Sequence, residues 1–196
     1  GTMSGTGTTN AAGGLLLNGN VGTLSARTFT LPAGQTATLS GNNSGLGFGS
    51  GAQFKNAGTF LAQNDTSSDL FYNNVGSVPL FENTGTFTRD TTAGDFDISV
   101  PFANSGTVNV ATGTLSLSGG DGSGPTTGDF KISTGALLDF KDDFDLVAGA
   151  DVTGTGTVDF SIGTVTLGGG FAIPTVLVTG GTANFNAPTS GLQTLD

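Results

Sequence analysis

The chain contains no cysteine, no histidine and no tryptophan, and sets only five basic residues against fifteen acids. Without cysteine there is no disulfide framework, no thiol nucleophile and no sulfur-ligated metal, although the compartment stays open. With histidine missing as well, no nucleophilic triad can be assembled, and no Ser–Lys pair stands at a suggestive spacing. A net charge of −10 and a pI near 4.1 repel phosphate backbones and anionic headgroups, which argues against nucleic acid and membrane surfaces as partners. No apolar run approaches the length of a spanning helix, so membrane insertion is not expected, and no signal peptide is legible. Lysine and glutamate are scarce, alanine is modest, and no stretch of helical periodicity stands out.

Glycine is abundant instead, with 35 residues, but it keeps no third-position rhythm and proline is limited to six. That excludes collagen. Gly, Thr, Ser and Asn dominate, as in many disordered chains. The fifteen phenylalanines and the many Val, Leu and Ile nevertheless alternate with polar residues, a spacing that disorder gives no reason for.

The alternation belongs to a repeat. "GTVNVATGTLSLSGG" from Gly106 returns as "GTVDFSIGTVTLGGG" from Gly156, with eight of fifteen positions identical. Glycines that open a short alternating strand stand at Gly58, Gly85, Gly106, Gly128, Gly156 and Gly181, with spacings of 27, 21, 22, 28 and 25. Asn56, Asn83 and Asn104 precede the first three by two residues, inside a Phe-x-Asn-x-Gly-Thr phrase, and Gly154 takes that place before Gly156. Val108 and Val110 alternate with Thr107 and Asn109, then Leu115 and Leu117 with Thr114 and Ser116. Period two is the strand signature, and Gly113 interrupts it where the backbone must bend.

A unit of about 25 residues holding two or three strands cannot bury its own apolar face, so it must stack on its neighbours. The expected fold is all-β: a parallel β-solenoid of about seven to eight such coils in a single domain, 1–196. Residues 1–53 make less regular N-terminal coils and 54–185 the clearest repeats. Phe60, Phe87, Val108, Phe130, Val158 and Ala183 are expected in one inward column. Asn56, Asn83 and Asn104 are expected as a stacked amide ladder. "QNDTSSDLFYNNVGSVP" breaks the pattern and reads as a longer loop leaving one coil.

The phrases "FENTGTFT", "FANSGTVNVATGTLSLSGG" and "GTVDFSIGTVTLGGG" resemble repeats of the β-helical passenger regions of bacterial autotransporter and filamentous-haemagglutinin-type surface proteins. The resemblance covers about Phe54 to Phe185. It implies a single-stranded right-handed parallel β-helix, secretion, and a place on the bacterial cell surface. The hand also follows the general rule for parallel crossovers.

Carboxylates are the only plausible catalytic groups. In "FKDDFDL", Asp142, Asp143 and Asp145 lie near Asp139, and paired acids can cleave glycosides. The polygalacturonase-like pattern also needs a histidine and a basic signature, and this chain lacks both, so no enzyme is expected. The same four aspartates are candidate calcium ligands, since clustered hard oxygens suit that ion, with a solvated acidic loop as the plainer alternative. The glycine runs lack the Gly-Lys-Ser/Thr of a phosphate loop. The Thr-x-Thr pairs at Thr28/Thr30, Thr36/Thr38 and Thr164/Thr166 do not fall at one coil position, as a flat ice-binding face would require.

Asn109, Lys131, Asp159 and Asn184 are expected at equivalent outward positions, a polar ladder able to hydrogen-bond an extended polysaccharide or a host or cell-surface glycan. Two functions remain open. One is a non-catalytic secreted bacterial surface module acting as stalk or adhesin. The other is a carbohydrate-binding module of a secreted polysaccharide-degrading enzyme.

Overall fold

In a computed structural model that describes residues 1–41, 44–64, 69–91, 93–122 and 124–196, every strand pairing is parallel, and no helix occurs among the described residues. The strands wind as a β-solenoid with three faces. Face A is a ten-strand sheet running from Thr2–Ser4 to Thr194–Leu195, and face C is a nine-strand sheet from Leu15–Asn18 to Thr189–Ser190. Face B is split into five strands, Thr8–Asn10 to Phe102–Asn104, and three, Phe144–Leu146 to Thr182–Phe185. The two parts meet through Thr126, which bridges to Leu146, while the Thr127 amide donates to the Asn104 carbonyl. Coils are counted below from successive strands on face A.

The inward residues form continuous columns. On face C, Ala37, Phe60, Phe87, Val108, Phe130, Val152 and Phe171 follow one another in register, all buried. On face B, Phe29, Phe54, Phe81 and Phe102 stack ring on ring with centroids 5.0, 4.9 and 5.6 Å apart. Like stacks on like because a parallel in-register neighbour presents the same pleat position at one strand spacing, and offset aromatic stacking adds to the burial.

The repeated glycine has a steric cause. A Cβ on Gly85, Gly106 or Gly128 would lie closer than 3.0 Å to the carbonyl oxygen of the preceding anchor glycine. These glycines form a column of close-packed backbone at the corner between faces B and C. Gly113 plays the other role: its φ of +67° makes the tight corner between face C and face A.

Two expectations about register change. Val158 lies on face A, between Leu138 and Val176, and Ala183 lies on face B beside Val165. The inward column on face C continues through Val152 and Phe171 instead. Gly154 pairs with Ile132 on face C and does not extend the asparagine column. The offset between the Gly106 and Gly156 phrases therefore spans two coils and one corner. Coil length also varies: a register step covers 27 residues from Thr59 to Thr86 but 18 from Thr164 to Thr182. Of the irregular stretch expected as a loop, residues 65–68 lie outside the described residues, and residues 70–79 belong to the long fourth coil. There, Leu70–Tyr72 returns to face A as a strand, and residues 73–79 form the excursion. The N-terminal residues 1–53 occupy the same three faces as the rest.

Candidate functional site

The asparagine ladder forms as the sequence implies. Asn56 Nδ2 donates to Asn83 Oδ1 at 2.7 Å, and Asn83 Nδ2 donates to Asn104 Oδ1 at 2.8 Å, with all three side chains buried. Backbone groups complete the set: Asn56 Nδ2 reaches the Thr86 carbonyl at 3.0 Å, and the Gly106 amide donates to Asn104 Oδ1 at 3.2 Å. Asn83, in the middle, both accepts and donates along the axis, whereas Asn56 Oδ1 and Asn104 Nδ2 at the two ends of the ladder are buried without a partner among the described residues.

Most of the acids do comparable work between coils. Asp121 accepts the Asp145 amide at 2.8 Å, Asp129 the Asp151 amide at 3.2 Å, Asp143 the Thr164 amide at 2.7 Å and Asp151 the Gly170 amide at 2.7 Å. Each carboxylate thus accepts a backbone N–H of the coil that follows. On the outside of face A, hydroxyls of the following coil donate to carboxylates: Ser116 to Asp95 at 3.0 Å, Ser118 to Asp97 at 2.7 Å, Ser161 to Asp139 at 2.6 Å and Thr179 to Asp159 at 3.0 Å. Lys141 sits in this acidic strip, 3.2 Å from Asp139 and 3.0 Å from Ser116 Oγ. Burial opposes its charge, but the hydrogen bond to Asp139 and the fields of Asp139, Asp95 and Asp97 outweigh that and raise its pKa. Burial likewise pushes Asp97 up, with the Ser118 hydrogen bond working against it.

The four candidate calcium ligands are accordingly dispersed. Asp139 lies on the outside of face A, Asp142 and Asp143 in the corner that follows, and Asp145 on an exposed position of face B. No group of three or more acids among the described residues is placed to hold a metal ion. The corner turn separates them: consecutive residues there face different sides of the solenoid.

The outward ladder also divides. Asn109 and Lys131 are in-register neighbours on face C. Asp159 is on face A, almost buried under Thr179, and Asn184 is on face B beside Thr166. The face C column runs Thr38, Leu61, Thr88, Asn109, Lys131 and Thr153. The Thr-x-Thr pairs fall on faces B, C and B, yet Thr36/Thr38 aligns on face C with Thr59, Thr86/Thr88 and Thr107.

Two buried polar groups escaped the sequence reading. Arg89 is fully buried at an inward position where Ala62 leaves room. Its Nη1 donates to the Ala62 and Asn64 carbonyls at 3.1 and 2.9 Å, and its Nη2 to the Gly94 carbonyl at 2.7 Å. The alternation in Thr-Phe-Thr-Arg already marked it as inward. Asp69, also buried, accepts Asn64 Nδ2 at 2.7 Å and the Asp97 amide at 2.6 Å. Burial pushes its pKa up to about 7, against the lowering effect of those two hydrogen bonds.

A cleft of about 560 Å³ runs along the corner between faces A and B, lined by residues of five successive coils from Gln53 to Asp143. No protein-family model, no curated protein and no solved structure matches this chain.

Proposed function

We propose that this β-solenoid is a non-catalytic module of a secreted bacterial surface protein, acting as stalk or adhesin. The observation that carries the reading is the use of its acids. Among the described residues, nine aspartates accept hydrogen bonds from the coil that follows: Asp69, Asp95, Asp97, Asp121, Asp129, Asp139, Asp143, Asp151 and Asp159. Of the four acids weighed as acid and base, Asp139 and Asp143 are engaged in joining one coil to the next. A repeat stack held this way is a rigid spacer whose length scales with coil number. The resemblance of its repeats to bacterial passenger regions supports the secreted surface placement.

The glycan-binding reading keeps one specific support. In coils two to five, the two central outward columns of face C hold Thr36, Thr59, Thr86 and Thr107 beside Thr38, Leu61, Thr88 and Asn109, with no charged residue. A flat, neutral hydroxyl surface on so acidic a chain suits a neutral polysaccharide. Affinity electrophoresis through xylan, glucan and mannan gels separates the readings. The stalk reading predicts unchanged mobility in every gel. Retardation that disappears in Thr88→Lys would instead establish a carbohydrate-binding face.

A further inference from the structure

The corner cleft is not absorbed by either reading. Its lining rises coil by coil: Gln53 in the third, Val78 to Leu80 in the fourth, Pro101 in the fifth, Gly119 to Gly122 in the sixth, and Asp142 and Asp143 in the seventh. Four strand spacings make it roughly 20 Å long, enough for about six residues of extended chain. The part toward the N-terminal coils is aliphatic, built by Val78, Pro79, Leu80 and Pro101. Val78 is 66 % exposed at the end of the excursion that lengthens the fourth coil. The floor is free of side chains at Gly120 and Gly122, both at positive φ. A Cβ on Gly122 would strike Leu80 Cδ1.

The other end is acidic and fixed. Asp121, Asp142 and Asp143 each accept a backbone amide, those of Asp145, Asp143 and Thr164 respectively, at 2.7 to 2.8 Å. A carboxylate can accept about four hydrogen bonds, so each anchored group retains acceptor capacity for a ligand. Burial raises the Asp121 pKa, the Asp145 amide lowers it, and the charges of Asp145 and Asp143 raise it again. The acids thus repel one another, and a cation placed among them relieves that cost. They are not arranged for a metal ion. An ammonium or guanidinium on a flexible stem tolerates their spacing. Among the described residues no aromatic ring lines the cleft, which leaves a neutral sugar nothing to stack on.

We propose that this corner groove docks an extended peptide segment carrying aliphatic side chains followed by lysine or arginine. The aliphatic residues lie against Val78, Pro79 and Pro101, and the cation reaches Asp121, Asp142 and Asp143. This deepens the adhesive side of the reading above. It rests on the groove and not on where the module is displayed, so it can fail while that reading stands.

The test uses the whole chain, ¹⁵N-labelled, titrated with the blocked hexapeptide Val-Pro-Val-Thr-Lys-Arg. Saturable shifts are expected at the amides of Gly119, Gly120, Gly122, Asp142 and Asp143, weakening as salt is added. The analogue ending Glu-Glu should produce none. Asp142→Asn and Val78→Lys should each weaken binding roughly fivefold, as loss of one half-exposed contact does. Val78 is exposed and Asp142 caps only its neighbour, so both variants should keep the parent melting temperature. The proposal is overturned by any of three results: no shifts at millimolar peptide, equal shifts with the acidic analogue, or binding indifferent to both variants. Shifts of the same amides by cellohexaose without any by the peptide would make the groove a sugar site and equally overturn it.

Discussion

Replacing Asn83 by aspartate exchanges one NH₂ for an oxygen at the middle of the amide ladder, where the side chain is fully buried. The lost donor served Asn104 Oδ1 at 2.8 Å, so two acceptors would now face each other. One net hydrogen bond is worth about 1 kcal/mol, and burying an uncompensated carboxylate adds several more. The expected loss at pH 7 is therefore about 3–5 kcal/mol, a large part of the roughly 5–15 kcal/mol that holds a typical domain together. Asn83→Ala should cost less, about 2–3 kcal/mol, from the two ladder hydrogen bonds, a long one to the Thr107 carbonyl and a small cavity. Its neighbours keep partners, because Asn56 Nδ2 still reaches Thr86 and Asn104 Oδ1 still accepts from Gly106. The assay is urea unfolding across pH. The introduced carboxyl has its folded pKa raised above the unfolded value near 4. Its deficit is therefore smallest below about pH 4 and grows as pH rises, since only the protonated form can donate to Asn104. An Asn83→Asp variant as stable as Asn83→Ala at pH 7, or one indifferent to pH, would refute the ladder's role.

Asp69 gives the parent chain a related pH dependence. Its folded pKa is raised to about 7 from 3.8, so the neutral carboxyl suits the fold. Its contribution is fully present below about pH 4 and is lost as pH rises to 7. Asp97 and Asp95 add to the cost of its charge, and Asp69→Asn should flatten the stability slope between pH 4 and pH 7 in urea titrations. For calcium, the dispersal of Asp139, Asp142, Asp143 and Asp145 predicts no rise in melting temperature at millimolar concentrations. A rise abolished by Asp142→Asn with Asp143→Asn would show that the corner acids gather around the ion.

The sequence made the inner surface of the third to sixth coils legible because independent constraints coincide there. Alternation placed Phe60, Phe87, Val108 and Phe130 inward, the glycine column fixed the corner, and the asparagines marked the strand before it. Beyond the sixth coil the constraints separate. On face C the next strand starts after Asp151, whose carboxylate caps Gly170, so no Gly-Thr phrase announces it. The same phrase opens strands at Thr157 on face A and Thr182 on face B, because every corner asks for a tight turn followed by a half-buried strand. Face assignment was consequently lost for Val158, Ala183, Asp159 and Asn184. The corner cleft was invisible for a different reason. Its lining residues lie as far apart as Gln53 and Asp143, and only the variable lengths of the intervening coils bring them into line.

The central claim is the stacking register, and a cysteine-free chain allows it to be measured directly. Lys131 and Thr153 are outward neighbours in register on face C, whereas Asp159, which the repeated phrase would place opposite Lys131, belongs to face A. In-register parallel neighbours sit about 4.8 Å apart, inside the Cα range of roughly 4.4–6.8 Å that a disulfide accepts. Mild oxidation of the Lys131→Cys/Thr153→Cys pair should produce a nearly complete intramolecular disulfide, scored by thiol labelling and mass spectrometry. The Lys131→Cys/Asp159→Cys pair should retain both thiols. A disulfide in the second pair with none in the first would contradict the three-faced register.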